Sequence, residues 1–118
     1  MVLPRRFRLS DKARFRQVRQ KGASYAHPLM VLSCLPNPES ATRCGFTVSK
    51  RIGKAVARNR ARRRMSEAMY LLWDMVAPGW DMVWVARSGI NEAEFGELQS
   101  ACARLLRRAH LLTGAEQL

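Results

Sequence analysis

The chain predicts an α+β fold: one sheet of about four strands packed by helices, in the order α-β-β(-β)-α-β-α. Three observations predict it. Short apolar or alternating stretches occupy residues 28–35, 43–49 and 80–86, at strand length. Two longer stretches repeat apolar residues at i, i+3, i+4, i+7 spacing, one through Met65, Ala68, Met69 and Leu72 and one from Phe95 to Leu112. Finally, 118 residues at 47% hydrophobic content suffice for one core but not two, so residues 1–118 read as a single domain.

Taken in order, residues 1–9 read as an extended basic lead-in, with Arg5, Arg6 and Arg8 around Phe7. Ser10 is an N-cap candidate for a short helix over about 11–20, closed by Gly22. Its thin apolar side is Phe15 with Val18, and the remainder is basic: Arg14, Arg16, Arg19 and Lys21. One side docks on a sheet while the other faces a phosphate backbone. The 28–35 strand is apolar on both faces, with Leu29, Val31 and Leu35 alternating with Met30, Leu32 and Cys34. After a Pro- and Asn-rich loop over 36–42, residues 43–49 pair back as an antiparallel hairpin. That strand sets Cys44, Phe46 and Val48 on one face and Gly45, Thr47 and Ser49 on the other.

A turn at Gly53 leads into a helix from about Ala57, which Ala77-Pro78-Gly79 brings to a stop. The 80–86 strand puts Trp80, Met82 and Trp84 on one face and Val83 and Val85 on the other. Tryptophans can stack on bases, but these flank Met82 in an apolar strand and point to a core. Asn91 and Glu94 have capping-box spacing ahead of the last helix. Phe95, Leu98, Cys102, Leu105, Ala109 and Leu112 form its buried stripe, with Arg104, Arg107 and Arg108 near the C-terminus, where the helix dipole favours cations.

Charge says more about function than fold does. The formal net charge is +12 and is unevenly spread. Residues 1–64 hold 17 Lys and Arg against Asp11 and Glu39, a balance of +15, which leaves −3 for the rest. The positive field therefore belongs to the N-terminal half, as for one polyanion-binding face. Its densest part carries Lys50, Arg51, Lys54, Arg58, Arg60, Arg62, Arg63 and Arg64 with no acid among them, and Asn59 embedded. Cations at a helix N-terminus face the positive end of the macrodipole and repel one another at these spacings. Local stability does not select that placement, so an external polyanion is the compensating partner.

Other classes fare worse. There is no apolar run near ~18 residues to span a membrane and no N-terminal apolar core of ~7–15 residues for export, so the expectation is a cytoplasmic protein with no membrane partner. Cys34, Cys44 and Cys102 are odd in number and lack a CxxC pair, reading as buried small hydrophobes rather than disulfides or zinc ligands. The histidines are His27 and His110 alone, and the acids sit singly or in helix caps. Neither a general acid–base pair nor a metal cluster emerges. The chain reads as a binder with no catalytic residues and no metal ligands of its own.

The string SKRIGKAVARNRARRRM resembles the signature of the bacterial ribonuclease P protein component, with Lys50, Arg51, Gly53, Ala55, Val56, Arg58, Asn59, Arg60, Arg62 and Arg63 on matching positions. The resemblance runs from Arg5, Phe7, Arg8 and Leu9 through Phe15, Gly22, Asp81-Met82-Val83 and Ala86-Arg87 to the last helix. It implies a central helix joining two parallel strands by a left-handed crossover, the rare hand. It also implies a subunit of the ribonuclease P endoribonuclease, in which the RNA subunit is the catalyst, Mg2+ is bound mainly by that RNA, and the protein alone is inactive. The protein would bind the RNA subunit and the 5′ leader of precursor tRNA, promoting leader removal.

The cationic run and the resemblance together make Lys50, Arg51, Lys54, Arg58, Asn59, Arg60, Arg62, Arg63 and Arg64 the expected RNA-binding residues. Asn59 either hydrogen-bonds RNA or holds the turn. The leader cleft, between the first helix and the open sheet face, would involve Phe15, Val18, Arg19, Met30, Val31 and Ser33. Arg19, Met30 and Ser33 stand where the family commonly has aromatic rings, which implies weaker stacking and leaves Phe15 as the main ring. Ser66 stands where the signature usually ends in an arginine, a place Arg64 could take from an adjacent face. The competing class is a structural RNA-binding protein of ribosomal or assembly-factor type, which size and charge fit equally. An effect on magnesium-dependent precursor-tRNA cleavage separates the two.

Overall fold

The computed structural model describes residues 1–113. The first helix, α1 (Lys12–Lys21), starts one residue later than Ser10 would place it, because Asp11 is the cap. Its Oδ1 accepts from the N–H groups of Ala13 at 2.9 Å and Arg14 at 3.3 Å, and its negative charge suits the positive helix end. A short strand, β1 (Ala23–Ala26), follows and turns back to pair antiparallel with β2 (Met30–Pro36). β1 is mostly exposed and only four residues long, with no apolar alternation, which is why its sequence carries little strand signal.

The expected hairpin between residues 28–35 and 43–49 does not form. β3 (Arg43–Thr47) is separated from β2 by β4 (Trp80–Ala86), giving the sheet order β1-β2-β4-β3. β4 is antiparallel to β2 and parallel to β3. Two physical facts favour this arrangement over the hairpin. β4 is buried on both faces and suits the interior of a sheet, whereas β3, with Gly45 and Thr47, suits an edge. The loop of residues 37–42 is long enough to cross roughly 10 Å, two strand spacings.

Between β3 and β4 runs α2 (Ala55–Leu72), and α3 (Phe95–Arg108) closes the same side of the sheet. α2 begins two residues before the expected Ala57, after a 3-10 turn at Lys50–Ile52. Its inner face buries Ala61, Met65, Ser66, Ala68, Met69 and Leu72, the predicted stripe with two additions. α3 buries Leu98, Cys102, Leu105 and also Ala101 and Leu106, while Phe95 is only half-buried. The capping box at its start is absent, since Glu94 caps without a side-chain bond. Asn91 is drawn elsewhere: its Nδ2–H donates to Ala57 O at 2.9 Å, tying the segment before α3 to the start of α2.

The sheet has two unequal faces. Met30, Leu32, Cys34, Cys44, Met82 and Trp84 face the main core beneath α2 and α3. Val83 faces the other way, in a small cluster with Leu9 and Val18, against which Phe15, Leu35 and Val85 pack. Trp84 is wholly buried and donates its Nε1–H to Cys44 Sγ at 3.3 Å, and Trp80 packs on the same core. The core reading of both tryptophans therefore holds. All three cysteines are free and buried, and burial pushes the Cys102 thiol up to about 12.

The lead-in is not a loose arm. Leu3 is buried in the main core, and its N–H donates to Ser66 Oγ at 2.8 Å. Phe7 lies 5.1 Å from the Trp73 ring, and Leu9 N–H donates to Cys44 O at 2.8 Å beside β3. Three apolar residues among the arginines anchor this segment, which the charge pattern alone concealed.

Candidate nucleic-acid interface

The basic segment is shaped by the turn that opens it. Ser49 Oγ accepts from Arg51 N–H at 3.3 Å, and Gly53 closes the turn at φ 143°, a conformation that disfavours any residue with a Cβ. Arg58, half-buried, donates from Nη1 to Gly53 O at 2.8 Å and so ties the helix back onto the turn. Asn59 does not hold the turn. It lies exposed on α2, and its Oδ1 accepts from Arg62 Nη1 at 2.7 Å, fixing that guanidinium in one orientation.

Of the nine residues expected to contact RNA, Lys50, Arg51, Lys54, Asn59, Arg60, Arg62 and Arg63 are exposed. Arg64 is not among them. Its guanidinium donates to Ile90 O at 2.6 Å and to Ala93 O, inside the joint between α2 and the segment before α3. Burial, and next the charge of Arg60, lowers its pKa. Arg64 is thus an internal tie in this structure rather than a replacement for the missing surface arginine. Ser66, at the position in question, is buried under Leu3.

A second group of arginines is also spent internally. Asp81, on β4, is fully buried. Arg14 Nε donates to its Oδ2 at 2.6 Å; Arg43 donates from Nε to Oδ1 at 3.0 Å and from Nη2 to Oδ2 at 2.9 Å. Asn37 Nδ2 adds a bond to Oδ1 at 3.0 Å. Burial raises the Asp81 pKa, but the hydrogen bonds from Arg43, Arg14 and Asn37 outweigh it and hold the carboxyl below its ordinary value. This knot joins α1, β3 and the 37–42 loop to β4. Its partners lie 67, 38 and 44 residues away in sequence, so no local pattern announces it.

Clamped there, α1 forms the wall of a groove of about 690 Å³, lined by Leu9, Ser10, Lys12, Phe15, Arg16 and Arg19. Its floor is apolar and its rim cationic. A smaller hollow of about 240 Å³ lies on the other side of Phe15, bounded by Leu9, Gly45, Phe46, Arg62 and Arg63. Phe15 lines both, so the α1 groove and the arginines of α2 are neighbours. Gly45 makes this possible: a Cβ there would stand 2.3 Å from Phe15 Cε2.

The six residues expected in the cleft separate into three kinds. Phe15 and Arg19 line the groove, and Val31 is half-buried on the sheet face that α1 covers. Val18 and Ser33 are buried, with Val18 wholly so on the sheet-facing side of α1, which makes it an anchor for the helix rather than a contact surface. Met30 is corrected outright. It points to the opposite face, fully buried, with Cys102 Sγ 3.6 Å from its Sδ. Strand alternation already sets Met30 and Val31 on opposite faces. Arg16, already on the basic side of the helix, and Lys12, which was missed, share the groove with Arg19 because the three fall at i, i+4 and i+7 on one helix face.

Among the described residues no group of three His, Cys, Asp or Glu side chains could hold a metal ion, and no helix is long and apolar enough to cross a membrane.

Known proteins resemble this one along nearly its whole length. The sequence model of the ribonuclease P family matches residues 3–110. The ribonuclease P protein component of Roseiflexus castenholzii is 44% identical over 114 residues, covering 96% of this chain and 93% of that protein. That of Herpetosiphon aurantiacus is 42% identical, covering 93% and 89%. The structure of the Staphylococcus aureus RNase P protein superposes with a TM-score of 0.82 at 25% identity, covering 91% of this chain and 98% of that one. The Thermotoga maritima RNase P protein shares the fold, with a TM-score of 0.78 at 24% identity.

Proposed function

Since the chain belongs to the ribonuclease P protein family, making it the protein subunit that partners the catalytic ribonuclease P RNA, we propose that it binds that RNA through the exposed basic end of α2 and the 5′ leader of precursor tRNA through the α1 groove. The observation that carries this reading is the sharing of Phe15 between the groove and the hollow bounded by Arg62 and Arg63. A single-stranded leader on Lys12, Phe15, Arg16 and Arg19 would lie beside an RNA held on α2.

Each residue's part follows from its geometry. Arg60, Arg62 and Arg63 present guanidinium forks that can bridge two phosphate oxygens. Asn59 pre-orients Arg62, which reduces the ordering cost of that contact. In the groove Phe15 offers one stacking face, and Lys12, Arg16 and Arg19 offer charge. The leader is therefore held more by its phosphates than by its bases. Mg2+ is assigned to the RNA subunit in this proposal, as the family resemblance implies. The cations of α2 offset repulsion between the two RNAs and so lower the magnesium that assembly needs.

The test is reconstitution. Added to a bacterial ribonuclease P RNA at low magnesium, the protein should restore cleavage of precursor tRNA at the mature 5′ end, with no cleavage by the protein alone. Tight RNA binding without restored processing would overturn the leader and magnesium parts of the proposal.

A further inference from the structure

The C-terminal half carries Arg87, Arg104, Arg107 and Arg108, and the interface above uses none of them. Three converge on the turn between β1 and β2. Arg108 Nη1 donates to Ala26 O at 2.8 Å, with its guanidinium 5.7 Å from the Tyr25 ring centroid. Arg87 Nη1 donates to His27 O at 3.3 Å, and its backbone N–H to Leu29 O at 3.0 Å. The His27 Nδ1 accepts from Leu29 N–H at 3.0 Å, which leaves Nε2 to carry the proton of the neutral ring. Burial, then the charges of Arg104 and Arg108, lowers the His27 pKa. Like charges are thus gathered here at a cost, as at the start of α2.

Two surface grooves meet at this turn, with Pro28 in the wall of both. One, of about 570 Å³, runs past His27, Leu29, Ser100 and Arg104, with Glu97 as its single acid. The other, of about 320 Å³, runs past Ser49, Arg51, Arg87 and Ser88. Arg51 belongs to the turn that opens the α2 basic segment. A basic seam therefore leads from that turn, past Arg87 and Pro28, to Arg104.

We infer that this seam is a second phosphate track, carrying the backbone of an RNA strand from the Lys50–Arg51 turn across Pro28 to Arg104. The inference extends the proposed RNA interface and rests on that reading. RNA is the occupant because the seam is continuous with the α2 cations. Its arginines and the hydroxyls of Ser49, Ser88 and Ser100 suit phosphate oxygens and ribose hydroxyls.

Arg104→Glu is the sharpest variant, because Arg104 is exposed and makes no hydrogen bond among the described residues. With the full-length protein and ribonuclease P RNA as probe, it should weaken binding roughly tenfold at fixed salt and reduce the log–log salt slope by roughly one phosphate contact. In the unmutated protein, an NMR titration of the His27 imidazole should show its midpoint rising on RNA binding, as phosphates offset the fields of Arg104 and Arg108. The parallel variant Arg60→Ala reports on the parent interface. Wild-type affinity and slope in Arg104→Glu, with an unmoved His27 midpoint and a weakened Arg60→Ala, overturn the track alone. No effect from either variant overturns the track and the α2 interface together.

Discussion

Two sets of arginines in this chain look alike in sequence and behave oppositely in the fold. Arg14, Arg43 and Arg64 are turned inward, the first two onto the buried Asp81 and the third onto the carbonyls of Ile90 and Ala93. Arg60, Arg62 and Arg63 stand exposed, and the one side-chain hydrogen bond they make among the described residues is donated by Arg62 to Asn59 Oδ1 on their own helix. Arg63 and Arg64 are adjacent in sequence yet fall in different sets, because successive residues on a helix point about 100° apart. The first set fixes where α1 and the last helix sit; the second is what the fold offers to an anion. Arginine density therefore locates an interface only to within a turn of helix.

The strongest way to test that division is to break the inward set. Asp81→Asn leaves two half-buried guanidinium groups without their carboxylate and should cost about 3 kcal/mol or more of unfolding free energy in urea titrations. RNA affinity per folded molecule should change far less. The exposed set should respond the other way round. Arg60→Ala should weaken binding of the RNA subunit by roughly 1–3 kcal/mol while leaving the unfolding midpoint almost unmoved. Arg58→Ala sits between the two, since its bond to Gly53 O should make it lose both stability and affinity.

Smaller effects sharpen the boundary. Phe15→Ala should cost about 1–2 kcal/mol in binding of substrates with a 5′ leader and little with mature tRNA. Equal losses on both would remove Phe15 from leader recognition. Asn59→Ala should cost about 0.5 kcal/mol of RNA affinity by freeing Arg62. Acid supplies a last check. Because the folded Asp81 pKa is depressed, its stabilisation is present above the ordinary carboxylate range, near 4, and is lost as pH falls through the lower folded value. Stability of the wild type should therefore fall through that acid range more steeply than that of Asp81→Asn.

The sequence made the layout legible where one residue's neighbours in the chain are also its neighbours in space. The α2 stripe, the α3 stripe, the two faces of β4 and the basic turn at Gly53 are all of this kind. It failed where the contact is remote. The β4 strand slips between β2 and β3, a pairing across some forty residues that local alternation cannot encode. The Asp81 knot and the pairing of Asn91 with Ala57 are remote in the same way. The Met30 placement is different, for it came from matching positions to a family pattern against the strand's own alternation, and the alternation was right. Of the residues expected in the cleft, Val18 and Ser33 are buried and neither lines the groove.

The division between inward and outward arginines is tested most directly by the salt dependence of binding to ribonuclease P RNA in the variant Arg60→Ala/Arg62→Ala/Arg63→Ala. If those three guanidinium groups hold phosphates, the log–log slope should fall by roughly 2–3, at ~0.9 per lost contact, with an unchanged unfolding midpoint. A wild-type slope in the folded triple variant would contradict the account and put the RNA elsewhere on the molecule.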